Sequence, residues 1–135
     1  LRLDECSKYL KAKFVEPEHK EIKENFFDIV FDTVGLEITR QQAIHTIAPG
    51  GIIVHVGLTQ PEGTFNFRKL TIQEIIVVGT YCYTNEDFKK SIKILKNKSL
   101  GSLKWIEYRK LKDGFNAFKE IHDGTCVAPK IILIP

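Results

Sequence analysis

Three glycines stand where a protein backbone can meet a ligand. Phe31-Asp32-Thr33-Val34-Gly35 and Val54-His55-Val56-Gly57-Leu58 each place a glycine just past the end of an apolar, β-branched run, and Gly79-Thr80-Tyr81 ends a third. In an open parallel sheet, loops at the C-terminal edge leave the crevice in which ligands bind. A glycine at that edge either makes a tight turn or lets a cofactor approach the main chain closely. Taken singly each glycine reads as a turn; three run ends of the same kind bring cofactor contact level with that reading.

Other chemistry is sparse. The chain has no GxSxG elbow, no HExxH, no Walker loop and no GxGxxG. His19, His45, His55 and His122 share no ligand spacing and read as structural or solvated residues. Cys6, Cys82 and Cys126 are an odd, widely spaced set, neither a disulfide framework nor a zinc pattern, and read as reduced, packed thiols.

The elements that must carry those glycines follow from periodicity. Phe27–Phe31, Gly51–Val56 and Ile75–Val78 are near-continuous apolar runs, the pattern of parallel strands covered on both faces. Between the first two, Ala43, Ile44, Ile47 and Ala48 form one stripe of a crossover helix starting near Leu36 and ended by Pro49-Gly50-Gly51. Thr84 with Asp87 three residues on is an N-cap signal for a helix whose apolar positions are Phe88, Ile92 and Leu95. Lys89, Lys90, Lys93, Lys96 and Lys98 form its solvated face, with no interleaved aromatics to stack a nucleic acid. Leu111, Phe115, Phe118 and His122 mark a further helix stopped by Gly124, and Ile131–Ile134 a final strand. At the other end, Leu3–Leu10 reads as a helix, Lys13-Phe14-Val15 as a short strand, and Pro17 as a break. The fold class is α/β.

Composition agrees with an ordinary globular domain. The 135 residues are 43% hydrophobic and 27% charged, with a net charge of +3, too small for a nucleic-acid footprint. No apolar run approaches the ~20 residues of a bilayer span and no secretory leader opens the chain, so a cytoplasmic protein with no membrane partner is expected. The chain contains no methionine, as expected of a piece of a longer protein.

The succession FDIVFDTVG, APGGIIVHVGL, LTIQEIIVVGTYCYTNEDF, LKDGFNAFKEIHDG and a terminal PKIIL resembles the C-terminal portion of zinc-dependent alcohol dehydrogenases of the medium-chain dehydrogenase/reductase superfamily, within its polyol and sugar-alcohol members. The resemblance covers nearly the whole chain. Lys11-Ala12 departs from the usual Gly-Ala, and Ala128-Pro129 from the common Thr-Gly.

The resemblance implies an incomplete Rossmann-type parallel sheet retaining strands 3, 4, 5 and 6 of the nucleotide-binding domain, plus C-terminal helices and a final strand. Residues 1–83 would be the partial NAD(P)-binding domain lacking its first two strands, and 84–135 the segment that returns to a catalytic domain outside the chain, the whole behaving as one compact unit. The Gly-rich pyrophosphate loop, the acidic residue selecting NAD over NADP and the zinc ligands would also lie outside. Carried over position by position, Arg2 would meet the adenosine ribose, and Thr33, Val34 and Gly35 would border the adenosine. Val56, Gly57 and Leu58 would border the nicotinamide, with the Val56 carbonyl accepting from its carboxamide, the Thr80 carbonyl and Cys82 amide completing that clamp with Tyr81 between them, and Lys130 would reach toward the pyrophosphate. The implied reaction is hydride transfer between a secondary alcohol and NAD or NADP with zinc as Lewis acid; the isolated chain, lacking that zinc site, would be inactive. The implied partner besides a small alcohol is a second copy, paired through the Glu74–Thr80 strand.

Two other readings compete. A class I SAM-dependent methyltransferase also has an acidic strand followed by a PGG turn, matched by Asp28 and Ala48–Gly51, but ends in an antiparallel hairpin, unlike this chain. A non-catalytic interaction module is the third.

Overall fold

The computed structural model describes residues 8, 12–16, 22–100 and 103–135. The expected Leu3–Leu10 helix, the Pro17 break, Cys6, His19 and the ribose contact of Arg2 fall outside these, Lys8 apart. The chain forms two compact units, Glu16–Tyr83 and Thr84–Pro135 with residues 1–15.

In the first unit, β1 (Phe27–Asp32), α1 (Glu37–Thr46), β2 (Ile47–His55), α2 (Phe67–Ile72) and β3 (Ile76–Gly79) follow one another. The three strands are parallel in the order β1-β2-β3. Asp32, His55 and Gly79 share one rung at the C-terminal edge. The crossover helix α1 lays Ala43 and Ile44 on the sheet beside Ile47, Ile53 and Ile75, and Val30, Phe65 and Leu70 pack around this core. The α1 stripe ends at Thr46, so Ile47 and Ala48 belong to β2 rather than to the helix. Pairing with β1 is irregular across Ala48–Gly51 and resumes at Ile52, which is where the apolar run begins.

In the second unit, α3 (Asn85–Lys96), β4 (Ile106–Lys110), a single 3-10 turn (Leu111–Asp113), α4 (Gly114–His122) and β5 (Lys130–Ile134) make a two-stranded parallel sheet with α4 as crossover. Thr84 caps α3: its hydroxyl accepts the Asp87 amide at 3.2 Å, and the Asp87 carboxylate accepts the Thr84 amide at 3.0 Å. Gly124, with φ of 70°, follows the Asp123 cap of α4. Arg109 on β4 donates to Glu107 at 2.6 Å and Glu120 at 2.7 Å, tying strand to helix.

The structure corrects three expectations. Lys13-Phe14-Val15 forms no strand, so among the described residues the sheet of the first unit has three strands, not four. The apolar runs are not covered on both faces: Phe27, Ile29 and Phe31 on one face of β1, and all four residues of β3, are exposed. On α4 the buried residues are Gly114 and Ala117, whereas Phe115 and Phe118 face outward. The reason is steric: Gly114 sits so close to the sheet that an added Cβ would stand 3.0 Å from Leu133 Cδ1. Small residues, not the aromatic stripe, permit that approach.

Candidate functional site

The turns after β1 and β2 are locked together by main chain. The Asp32 carbonyl accepts the Val56 amide at 2.9 Å and the Gly57 amide at 3.0 Å, and the Gly35 carbonyl accepts the Gln60 amide at 2.9 Å. Gly35 has φ of 74°, and an added Cβ would meet the Gly57 carbonyl oxygen at 2.2 Å. These two glycines therefore exist for packing between turns. Gly79 differs, because a Cβ there would meet nothing within 4 Å. Thr80 continues the edge, its amide donating to the His55 carbonyl at 3.0 Å.

Asp32 organises the first turn. One carboxylate oxygen, Oδ1, accepts the Gly35 amide at 2.8 Å, the Thr39 hydroxyl at 2.9 Å and the Val34 amide at 3.1 Å. Burial pushes this carboxyl up, but those three donors together with the neighbouring His55 outweigh it and hold Asp32 below the ordinary aspartate range. The other oxygen, Oδ2, is buried without a hydrogen-bond partner and lies 3.6 Å from His55 Nε2.

Arg40 organises the second turn. Its guanidinium donates to the carbonyls of Gly35 at 2.9 Å and Glu62 at 2.7 Å, to that of Gln60, and from Nε to His55 Nε2 at 3.1 Å. Glu37 supports the same loop: its carboxylate accepts the hydroxyl and amide of Thr64, which hold it below the usual carboxylate range.

Beside these turns lies a groove of about 660 Å³ whose walls include His55, Gly57, Leu58, Val77 and Gly79, a volume within the ordinary range for small-molecule sites. Leu58 and Tyr81 are largely exposed. Cys82 is exposed, in the left-handed region at φ of 56°, and is not in a disulfide. The structure thus gathers Thr33, Val34, Gly35, Val56, Gly57, Leu58, Thr80, Tyr81 and Cys82 at the C-terminal ends of three adjacent strands. Lys130 is the exposed first residue of β5, in the other unit. The residues that organise the site, Asp32, Thr39, Arg40 and His55, were not among the expected binding residues. Asp32 three residues before Gly35 is the available signal, since a short carboxylate there caps the turn that follows.

The resemblance implies two groups, a nicotinamide dinucleotide and a zinc ion. The open space over Gly79 and the groove beside it suit a flat, partly apolar ring. Among the described residues no three His, Cys, Asp or Glu side chains come together as metal ligands, so zinc does not fit there. Nor is any helix of these residues long and apolar enough to cross a membrane.

The chain is similar to known proteins in sequence and in fold. The family model described as zinc-binding dehydrogenase matches residues 3–97. A D-xylulose reductase of Saccharomyces cerevisiae is 31% identical over 94 residues, which are 69% of this chain and 26% of that protein. A probable D-xylulose reductase A of Emericella nidulans is 24% identical over 136 aligned positions, covering 91% of this chain and 38% of its own length. Among solved structures, acetophenone reductase from Geotrichum candidum in complex with NAD superposes with a TM-score of 0.74 at 21% identity, over 87% of this chain and 33% of the other. That likeness shows a shared α/β fold. The chain spans only about a quarter to two-fifths of the length of these relatives.

Proposed function

This chain belongs to the zinc-binding dehydrogenase family, and from that premise we propose that it forms the nicotinamide-side wall of an NAD(P) site in an enzyme oxidising a secondary alcohol of a polyol or sugar alcohol. The observation that carries the reading is Gly79: it lies on one rung with His55 at the sheet edge, and it alone of the three edge glycines opens onto free space.

Bound nicotinamide would accept or give the hydride. The chain's own residues hold and orient it. The carbonyls of Val56 and Thr80 would accept from the carboxamide amine, the Cys82 amide would donate to the carboxamide oxygen, and Leu58 would lie against the ring. Thr33, Val34 and Gly35 border the adenosine. No step is assigned to a metal, and the 135 residues by themselves do not turn over alcohol. The names of the relatives support the substrate class, since two are D-xylulose reductases. Two copies pair through β3, an edge strand with exposed Ile76, Val77 and Val78. The protein works in the cytoplasm and takes neither nucleic acid nor membrane as partner. The methyltransferase alternative is not favoured, since the matched family model is a dehydrogenase model.

The test is a titration of the full chain with NADH and NADPH, followed by amide NMR. Shifts at Gly57, Leu58 and Thr80–Cys82 are expected, abolished in Gly79→Phe with its melting temperature kept. Absence of shifts at millimolar nucleotide would overturn the reading, as would persistence in the variant. NADH formed from NAD, zinc and a polyol panel would overturn the claim that the chain alone is inactive.

A further inference from the structure

His55 stands between two groups that cannot both be satisfied by one protonation state. An arginine has donors only, so the 3.1 Å contact from Arg40 Nε requires His55 Nε2 to be the unprotonated ring nitrogen. On its other side, 3.6 Å from that same nitrogen, lies Asp32 Oδ2, a buried carboxylate oxygen with no donor. A buried, unfilled carboxylate oxygen facing a ring nitrogen is an acceptor awaiting a proton.

We propose that His55, Arg40 and Asp32 form a proton-operated latch on the Gly57–Gly63 loop. With His55 neutral, Arg40 is held by its Nε and spreads its remaining N–H groups over the carbonyls of Gly35, Gln60 and Glu62, closing the loop on the turn after β1. Protonation at Nε2 removes the lone pair that Arg40 uses and sets two cations against each other. The new N–H turns to Asp32 Oδ2 in a charge-assisted bond. Arg40 is released on that side, and the loop it fastens loosens.

The charged groups facing His55 from the elements around it are few. Asp32 comes from β1 and Arg40 from α1, and the loop brings Glu62 to the same groove. The lining supplied by α2 and β3, Phe67, Leu70, Val77 and Gly79, is uncharged. Asp32 attracts a cation at this position and Arg40 repels one.

The latch is built from this chain's own groups; its consequence, weaker dinucleotide binding in acid, rests on the function proposed above. The experiment is amide hydrogen exchange on the full chain, corrected for intrinsic rates, at about pH 7.5 and about pH 5, a span that brackets imidazole protonation generally. Protection of the Gln60 amide, which donates to the Gly35 carbonyl, should fall roughly tenfold, the equivalent of one lost hydrogen bond. His55→Gln, which accepts from Arg40 but does not titrate, should keep protection at both pH values, and Arg40→Met should lack it at both. Unchanged protection in the wild type across its ring titration overturns the latch, as does an equal pH response in His55→Gln. If His55→Gln does not fold, ring nitrogen shifts of the wild type decide. Nε2 unprotonated at about pH 7.5, with ring and Gln60 midpoints coinciding, supports the latch; a protonated Nε2 there, or separate midpoints, overturns it. An NADH titration at both pH values separates the two proposals. Switching protection without nucleotide binding leaves the latch and removes the cofactor reading. Binding with no change in protection does the reverse.

Discussion

Gly35 and Gly57 touch through their backbones: a Cβ on Gly57 would stand 2.1 Å from the Val34 carbonyl carbon, and one on Gly35 2.2 Å from the Gly57 carbonyl oxygen. Neither neighbour is a flexible side chain that can swing aside. Gly35→Ala adds the strain of a left-handed φ of 74°. Each alanine variant is expected to cost on the order of 3 kcal/mol or more in urea unfolding. Gly79→Ala, with open space around it, should stay within roughly 0.5 kcal/mol of wild type. Equal costs at all three positions would contradict this division of roles.

Asp32 predicts a specific acid sensitivity. Its carboxyl is held below the ordinary aspartate range in the folded chain by the Gly35, Thr39 and Val34 donors and His55, against the upward push of burial. The unfolded state therefore binds the proton more readily, so the contribution is present above the unfolded pKa and lost as pH falls through the folded one. The stability gap between wild type and Asp32→Asn should narrow over that acidic window. A gap independent of pH would sink the assignment.

The cap on α3 is local and should behave so. Thr84→Ala removes the acceptor of the Asp87 amide and should cost about 1 kcal/mol, with faster amide exchange in the first turn of α3. Thr84→Ser should restore protection, because the hydroxyl rather than the methyl carries the effect.

Arg109 holds Glu120 below the usual carboxylate range through a hydrogen bond at 2.7 Å. In Arg109→Met the Glu120 carboxyl should titrate at higher pH, read from its carboxyl carbon resonance. No movement would mean that the bond between β4 and α4 is not formed in solution.

Pairing through β3 predicts a two-fold dimer by light scattering. Val78→Lys should give a folded monomer, since a cation on this exposed edge position opposes a second copy. A strictly monomeric wild type at high concentration would count against the pairing.

Much of the architecture was legible because it is written in neighbouring residues. The apolar runs at Phe27–Phe31, Ile52–His55 and Ile76–Val78 pair as strands, Thr84 with Asp87 caps α3, and Gly124 takes the positive φ that ends α4. Each signal acts over one to four residues, the range of propensity and capping. The sequence also carried the resemblance that led to the nine edge residues from Thr33 to Cys82. The strand at Ile106–Lys110 escaped notice because Glu-Tyr-Arg-Lys carries no apolar run; its pairing with β5 is what makes it a strand. The burial of Gly114 and Ala117 in place of the Phe115 and Phe118 stripe likewise depends on how near the helix can approach its sheet.

Only the tertiary structure decided what organises the edge. Asp32, Arg40 and His55 lie 8 to 23 residues apart, with no spacing rule to join them. They meet because α1 folds back after β1 and the register sets Asp32 opposite His55. Periodicity tells which face a residue occupies, but a contact across strands follows from the register, and burial of the core selects that register among all the strands could adopt.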